Sequence, residues 1–372
     1  MRNIAIVTGA SSGIGEAFVR EIVNERSVYG SIPFQEIWII ARREDRLNKL
    51  RDELDPERIV VLPIDLAEPS DMKVLEERLA EAADDIRVGL IVNCAGIGKR
   101  GLVEDKDAQV IEDTVDINCT CLSKMVCMCL PYMIDRLPIF KRGDGPRIIN
   151  IASSAAFTPQ PGFAAYAASK AYVVSFSRAI DIELMRYHIA VTTVCPGPVK
   201  TEFQSLATDG KQSEFSGFRA VVAADPVKLA RKSLKASRRG RHLLVYGFSQ
   251  KALHVMSKIV PTYWIIWLEN KFSYVPSEYE LSHPYAPAGS NMYDPITLGD
   301  NTGAPVAGIV PSDDVAPLIP SEPAAEGVQA TPDAPVAITT EIGDMAEAPE
   351  EPVEAVPAVD GDSDDARRIL GN

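Results

Sequence analysis

Short apolar runs rich in β-branched residues recur along the first two thirds of the chain. They span residues 4–7, 37–40, 59–62, 90–92, 148–151 and 191–194. Polar positions do not alternate with apolar ones inside these runs, which is typical of strands that are covered on both faces. The pattern therefore predicts buried parallel strands.

Segments of helical period separate these runs. Apolar residues return every three or four positions in residues 16–24, 46–54, 71–83, 108–137 and 165–188. Strand and helix therefore alternate, and right-handed crossovers predict a doubly wound α/β sheet, of about seven strands once residues 242–245 are included. Ligands bind such a sheet beyond the carboxyl ends of its strands, so site residues are expected just after the apolar runs.

Composition divides the chain at about residue 275. Residues 276–372 hold 19 Asp and Glu against 2 Arg and no Lys, together with 14 of the 27 prolines. This composition predicts an acidic, Pro-rich, disordered tail. Residues 1–275 hold 36 Lys and Arg against 33 Asp and Glu, which suits a single globular domain and gives no indication of nucleic-acid binding.

The start of the chain and its cysteines indicate neither export nor a metal site. Only Arg2 separates Met1 from the first apolar run, and no small-residue cleavage site follows that run, so we expect a cytoplasmic protein. On a helix, Cys119 and Cys121 would point their thiols about 200° apart, which does not suit a shared metal ion. We expect reduced cysteines and no metal site.

A glycine-rich turn follows the first strand. Gly9, Gly13 and Gly15 are spaced Gly-x3-Gly-x-Gly and lead into a helix. Missing side chains let a pyrophosphate approach backbone N–H groups and the positive end of the helix dipole. Three glycines can also make only a tight strand-to-helix connection, so the turn by itself is weak evidence for phosphate binding.

Two arginines follow the second strand. An enzyme that selects NAD usually places Asp or Glu there, against the ribose hydroxyls. Arg42 stands there instead, and a guanidinium can hold a 2′-phosphate through paired hydrogen bonds. Arg42, aided by Arg43 and Ser11, therefore favours NADP(H) over NAD(H). The alternative is a pair of arginines that merely opens a solvated helix.

Tyr166 and Lys170 are four residues apart in a predicted helix, so they lie on one face. Hydride transfer to a carbonyl needs a proton donor, and a phenol can serve when a nearby cation stabilises its phenolate. Alone, the pair can equally be an exposed structural contact. Ser153 lies thirteen residues before Tyr166, just past the strand at residues 148–151.

The run that holds Ser153, Tyr166 and Lys170, together with the glycine turn, resembles the short-chain dehydrogenase/reductase family over residues 1–245. The resemblance implies a single-domain Rossmann-type fold. It implies that Tyr166 is the general acid in reduction and the base in oxidation, and that Ser153 binds the substrate oxygen. By the same resemblance, Lys170 lowers the phenol pKa and binds the nicotinamide ribose, and Asn118 supports a water-linked proton relay.

The family's cofactor site corresponds to the ends of several strands in this chain. The residues that the resemblance and the two preceding patterns assign to NADP(H) are Gly9, Ser11, Ser12, Gly13, Ile14, Gly15, Arg42, Arg43, Asp65, Leu66, Asn93, Ala95, Gly96, Tyr166, Lys170, Pro196, Gly197, Val199 and Thr201. The resemblance puts residues 65–66 at the adenine, residues 93–96 beside adenine and ribose, and residues 196–201 at the nicotinamide. Cys94 is a mild departure from the family's pattern.

An unusually apolar helical extension closes the predicted domain at residues 251–275. The charge-free stretch between Lys258 and Glu269 is too short to span a bilayer. Residues 253–272 can form a lid or partner contact, or a peripheral membrane contact with Trp264 and Trp267 among the headgroups. Either role favours apolar substrates.

These patterns predict an NADP(H)-dependent oxidoreductase that interconverts a carbonyl and an alcohol on an apolar substrate, such as an acyl or steroid ketone. The alternatives are an NAD-dependent alcohol or polyol dehydrogenase and a non-catalytic, NADP-sensing scaffold. The helices predicted at residues 108–137 and 165–188 resemble those that pair subunits in the family, which implies a homodimer or homotetramer.

Overall fold

Parallel strands and the helices between them account for most of the chain up to residue 246. The strands are β1 (Arg2–Thr8), β2 (Glu36–Ile40), β3 (Ile59–Leu62), β4 (Ile86–Asn93), β5 (Arg147–Ile151), β6 (Ala190–Pro196) and β7 (Leu243–Tyr246). In the computed structural model, which describes residues 1–24, 34–134, 145–208 and 223–273, these seven form one parallel sheet in the order β3-β2-β1-β4-β5-β6-β7. The order reverses between β1 and β4, so the predicted doubly wound sheet is confirmed.

The helices begin slightly earlier than apolar periodicity indicates. They are α1 (Gly13–Asn24), α2 (Glu44–Leu54), α3 (Pro69–Glu81), α4 (Ala108–Val115), α5 (Leu122–Met133), α6 (Ala164–Glu183), α7 (Phe203–Ala207), α8 (Pro226–Arg238), α9 (Phe248–Ile259) and α10 (Thr262–Ser273). The first turns of α1, α2 and α3 hold glycine, proline or charged residues, which begin the helix without adding to its apolar face.

Both faces of the sheet are buried, as its continuous apolar strands predict. Along β1, Ile4 and Ile6 pack on one face with residues of α3 and α5. Ala5 and Val7 pack on the other face with residues of α1 and α8. All four are fully buried, because successive side chains of a strand point to opposite faces and helices cover both.

The helix predicted over residues 108–137 is interrupted. A π-helical segment, Asp116–Cys121, separates α4 from α5, and residues 135–137 lie outside the described residues. A π turn holds more residues than an α turn, so it shifts the side chains that follow around the helix axis. The predicted helix over residues 165–188 likewise ends early, because α6 passes into a 3₁₀ turn, Leu184–Tyr187.

The apolar extension forms α9 and α10, which Val260 and Pro261 separate. His254 of α9 packs on Phe157 with ring centroids 4.3 Å apart, whereas Phe248 and Ile259 are 89% and 76% exposed. The role predicted for residues 253–272, as lid, partner contact or membrane contact, stays a prediction. Within the described ranges no helix combines the length and apolarity needed to cross a membrane. The predicted tail, residues 276–372, lies outside them.

Candidate active site

One cleft of about 1320 Å³ opens at the carboxyl ends of the strands. A cleft of this size exceeds the range typical of pockets for a single small ligand and can hold a dinucleotide together with a substrate. The sequence-predicted site residues that line it are Gly9, Ser11, Ser12, Gly13, Ile14, Gly15, Arg42, Arg43, Asp65, Leu66, Ala95, Gly96, Ser153, Tyr166, Lys170, Pro196, Gly197, Val199 and Thr201. Asn93 and Asn118 do not line it.

The glycine turn is packed so closely that side chains would not fit. Gly9 and Gly13 have φ angles of +66° and +58°, in the left-handed region that favours glycine. A Cβ on Gly15 would lie 2.2 Å from the Gly9 carbonyl oxygen, and one on Gly13 would lie 2.8 Å from Thr201 Cγ2. The bare backbone of the turn therefore forms the floor of the cleft and meets the loop that follows β6.

Arg43, rather than Arg42, is bound to the glycine turn. Its guanidinium donates to Ser11 Oγ at 3.1 Å and to Ser12 Oγ at 2.9 Å. The Arg42 side chain is 69% exposed and lies 3.6 Å from an Asp65 carboxylate oxygen. No sequence pattern ranks Arg43 above Arg42, because the contact depends on how the loops after β1 and β2 approach each other.

Glu202 joins this arginine site from the opposite side of the cleft. Its carboxylate accepts from Arg43 at 2.9 Å and from Arg46 at 2.6 Å. The two guanidinium groups lower the pKa of Glu202, with Arg46 the stronger influence. Sequence reasoning missed Glu202, since an acid that follows Thr201 gives no sign of pairing with residues about 156 positions earlier.

Tyr166 and Lys170 meet inside the cleft on successive turns of α6. Ser153 is close enough to the phenol to lower its pKa, and Lys170 Nζ lies 5.6 Å from the centre of the tyrosine ring. Lys170 Nζ also donates to the Ile151 carbonyl oxygen at 3.1 Å. Phe163 stacks on the phenol ring with centroids 4.3 Å apart, which fixes the ring plane.

Burial has the largest influence on the pKa of both Tyr166 and Lys170. It raises the pKa of Tyr166 to about 12, although the neighbouring Ser153 side chain and the charge of Arg100 act in the opposite direction. Burial also lowers the pKa of Lys170 to about 8. The lowering of the Tyr166 pKa by Lys170, which the family resemblance implies, stays a prediction. At neutral pH the phenol is protonated and the lysine is largely charged.

The loop after β4 is held by two polar side chains. Thr8 Oγ1, at the end of β1, accepts from the backbone N–H groups of Cys94 at 3.0 Å and Ala95 at 3.1 Å. Asn118 Oδ1 accepts from Ile97 N at 2.9 Å, and Asn118 Nδ2 donates to Ile97 O at 2.8 Å. These contacts fix the backbone that lies between the glycine turn and Lys170.

Both asparagines singled out from the sequence have buried, structural contacts. Asn118 Nδ2 also donates to Ser169 Oγ at 2.9 Å, which links the π-helical segment to α6. Asn93 Nδ2 donates to Asn150 Oδ1 at 2.9 Å, and Asn150 Nδ2 donates to Ser177 Oγ at 2.9 Å. The Asn93 side chain is therefore directed into the core between β4 and β5 and not toward the cleft. The relay role of Asn118 stays a prediction.

The thiols of Cys119 and Cys121 are directed apart, as the helix geometry predicts. Cys119 Sγ contacts the Ser169 carbonyl oxygen at 3.7 Å, and Cys121 Sγ donates to the Leu66 carbonyl oxygen at 2.8 Å. Across the described part of the chain, no group of three or more His, Cys, Asp or Glu residues could hold a metal ion.

Comparison with known proteins supplies independent evidence. Among curated proteins, nodulation protein G of Rhizobium sp. (strain N33) is 30% identical over 256 residues, a match that covers 69% of this chain and 93% of that protein. Glycine betaine reductase ATRR of Emericella nidulans is 29% identical over 245 residues, and that match covers 64% of this chain but only 18% of the longer protein.

Solved structures agree with these matches. A short-chain dehydrogenase from Sphingobium yanoikuyae, in complex with NADPH, superposes with a TM-score of 0.56 at 25% identity, which covers 69% of this chain and 94% of that one. The sequence profile of the family described as short chain dehydrogenase matches residues 3–212. That match spans more than half of the chain and includes the glycine turn, Ser153, Tyr166 and Lys170, and on this evidence the chain belongs to the short-chain dehydrogenase family of oxidoreductases.

Proposed function

We propose that this protein is an NADP(H)-dependent oxidoreductase that interconverts a carbonyl and an alcohol on an apolar substrate by hydride transfer. The observation that carries the proposal is that the Tyr166 phenol lies with Ser153 and Lys170 in the same cleft as the glycine turn. Carbonyl reduction requires a proton donor and a binding surface for the cofactor in the same cleft.

The cofactor half of the cleft fits a dinucleotide phosphate. The residues at the start of α1, Gly13, Ile14 and Gly15, line the cleft, so a pyrophosphate can lie against the backbone N–H groups there. Arg43 is bound to two serine hydroxyls at the edge of this turn, and Arg42 lies alongside, so a 2′-phosphate would meet paired N–H donors. The bound cofactor supplies the hydride in reduction and accepts it in oxidation.

The chain's own residues divide the remaining work. Tyr166 donates its proton to the substrate oxygen in reduction and takes it back in oxidation, and Ser153 holds that oxygen by a hydrogen bond. The charged Lys170 stabilises the phenolate that forms, and it also holds the nicotinamide ribose. Asn118 acts as a positioning residue, since its amide fixes the backbone at Ile97 and the side chain of Ser169.

An apolar wall supports the choice of substrate. Phe163, Tyr166 and Ala207 form one buried cluster, and the ring of Phe203 lies 5.4 Å from that of Tyr166. A substrate whose carbonyl reaches the phenol must rest against these aromatic faces. Burial of apolar area then contributes to substrate binding, in line with an acyl, steroid or similar ketone.

Cofactor titration tests the proposal directly. Removal of the charge-assisted bonds in Arg43→Ala is expected to raise the Kd for NADPH about tenfold or more, with a much smaller change for NADH. The measurement is fluorescence titration of purified protein with each cofactor, with Arg42→Ala titrated in parallel. The control is Arg46→Ala, which also removes a guanidinium bound to Glu202 but does not touch the glycine turn.

Two results of that titration would redirect the proposal. Tighter binding of NADH than of NADPH by the unmodified protein would favour an NAD-dependent alcohol or polyol dehydrogenase. Tight binding of NADPH without turnover of any ketone or aldehyde would favour the non-catalytic, NADP-sensing scaffold.

The protein is also proposed to be a homodimer or homotetramer that pairs through α4, α5 and α6. Val115, Tyr172 and Ile182 on these helices are 42%, 43% and 64% exposed. We expect Ile182→Lys to lower the molar mass measured by light scattering, because it would bury a charge in the interface. Val74→Lys on α3, where Val74 is 56% exposed, is the control and is expected to leave the mass unchanged. A monomeric unmodified protein would contradict the proposal.

A further inference from the structure

Arg100 lies at the substrate end of the cleft, one aromatic ring away from the Tyr166 phenol. Its guanidinium carbon is 5.0 Å from the centre of the Phe163 ring. Phe163 in turn stacks on Tyr166 with ring planes 18° apart. Phe163 therefore contacts both the Arg100 guanidinium and the Tyr166 ring, and Arg100 lines the cleft.

The backbone at Arg100 is tied to two neighbouring elements. Arg100 N donates to the Ala207 carbonyl oxygen at 2.8 Å, and the next residue, Gly101, donates to the Gly162 carbonyl oxygen at 2.9 Å. Lys106 Nζ donates to the Arg100 carbonyl oxygen at 2.7 Å. The guanidinium is therefore carried by a fixed piece of chain between α7 and the start of α6. Such anchoring is expected of a group that selects substrates.

The surroundings of Arg100 are apolar on the side that faces the phenol. Phe163, Phe203 and Ala207 belong to the apolar cluster around Tyr166, and Phe163 is also the ring that Arg100 contacts. A cation beside an apolar wall loses hydration when a substrate covers it. An anion on the substrate offsets the free-energy cost of that loss. A guanidinium has five N–H donors, so Arg100 can bind an anion in addition to the contacts it makes within the protein.

We propose that Arg100 is a specificity-determining residue that binds a carboxylate on the carbonyl substrate. The substrate class is then a ketone or aldehyde with an apolar body, which rests on the Phe163 and Phe203 rings, and a carboxylate at the end away from the cofactor. A planar guanidinium suits this group because it can make two parallel hydrogen bonds to a carboxylate. This inference rests on the proposed reductase function and adds to it the charge of the substrate.

The test measures binding without turnover. The protein is saturated with NADP⁺, which cannot reduce a ketone, and is titrated calorimetrically with 3-benzoylpropionate, 4-benzoylbutyrate and 5-benzoylpentanoate and with the methyl ester of each. We expect at least one acid to bind about tenfold or more tightly than its ester. Arg100→Met is expected to abolish that difference, and Arg100→Lys to keep part of it. Lys99→Met is the matched control, since Lys99 is the neighbouring cation and does not line the cleft.

Each outcome decides one of the two claims. Equal binding of acid and ester at every length, no binding of any acid, or an equal loss of acid and ester binding in Arg100→Met would overturn the role of Arg100. Acid-selective binding that disappears in Arg100→Met, without oxidation of NADPH when the same ketones are offered, would keep Arg100 and overturn the reductase proposal. Reduction of both forms at similar kcat/KM would keep the reductase and overturn the charge preference.

Discussion

Tyr166→Phe is expected to lower kcat for ketone reduction by about 10³-fold, because it removes the proton donor and keeps the aromatic ring. The ring stacks on Phe163 and packs beside Phe203 through carbon atoms that phenylalanine also has, so the fold and the affinity for NADPH should be retained. The hydroxyl of Ser153 remains, but a serine hydroxyl is a far weaker acid than a phenol and cannot replace it. The measurement is the rate of NADPH consumption with an apolar ketone.

The control for this variant lies on the same helix. Tyr172 is 43% exposed, and its hydroxyl bonds Ser123 Oγ at 2.9 Å, away from the cleft. Tyr172→Phe should therefore keep full turnover. A Tyr166→Phe enzyme that retains a tenth or more of the unmodified rate would show that another group supplies the proton.

Lys170→Met is expected to lower kcat by about 10² to 10³-fold and, at the same time, to make the protein more stable at pH 6. The loss of rate follows from the loss of the cation beside the phenolate. The gain in stability follows from burial, since Lys170 is only 5% exposed and its pKa is lowered from 10.5 to about 8. This lowering means that burying the charge destabilises the unmodified protein by about 3 kcal/mol. Loss of the hydrogen bond to Ile151 O destabilises the variant by about 1 kcal/mol. The free energy of unfolding of the variant is therefore expected to be higher by about 2 kcal/mol.

The sign of the pH dependence follows from the same pKa. Between pH 8 and 10.5 the unfolded chain binds more protons at this lysine than the native protein does. The free energy of unfolding of the unmodified protein therefore rises with pH through that window. The advantage of Lys170→Met should be full below pH 8 and should fade toward pH 10.5. Reductive turnover of the unmodified enzyme should fall above pH 8, where the lysine loses its charge.

Urea unfolding at pH 6 and at pH 9.5, together with NADPH consumption, checks the three expectations for Lys170. Lys73→Met is the control, because Lys73 is 74% exposed on α3 and its removal should change neither stability nor rate appreciably. Lower stability of Lys170→Met at both pH values would mean that the buried ammonium stabilises the fold and would contradict the argument.

The sheet could be predicted well from the sequence because each strand corresponds to a pattern within a few consecutive residues. Runs such as residues 148–151 are continuous, β-branched and short, and five of the six agree with a strand to within two residues, whereas β4 begins four residues before the run at residues 90–92. The glycine turn and the Tyr166–Lys170 spacing are local too, and both reach the cleft. The single helix predicted over residues 108–137 is interrupted, since a π turn leaves the apolar period nearly intact while it changes the hydrogen-bond pattern.

The rest of the site depends on contacts between distant segments. Arg43 contacts Ser11 and Ser12 because two loops converge, and Glu202 reaches it from a third. Arg100 gave no signal beyond a pair of basic residues after a glycine-rich loop. Asn93 is assigned to the cofactor by resemblance, and its side chain bonds Asn150 in the core, so its contact with the cofactor stays a prediction.

The hydrogen bond between the Asn93 and Asn150 side chains also sets the alignment of two neighbouring strands. These residues are direct partners across β4 and β5. If the strands slipped by one residue, both amides would lose their match inside the core, at about 1 to 3 kcal/mol for each unpaired group. Ala95 and Gly96 follow one strand and Ser153 follows the other. The buried amide pair thus disfavours other registers of β4 and β5. It also fixes the position of the loop that holds Ala95 and Gly96 relative to the loop that holds Ser153.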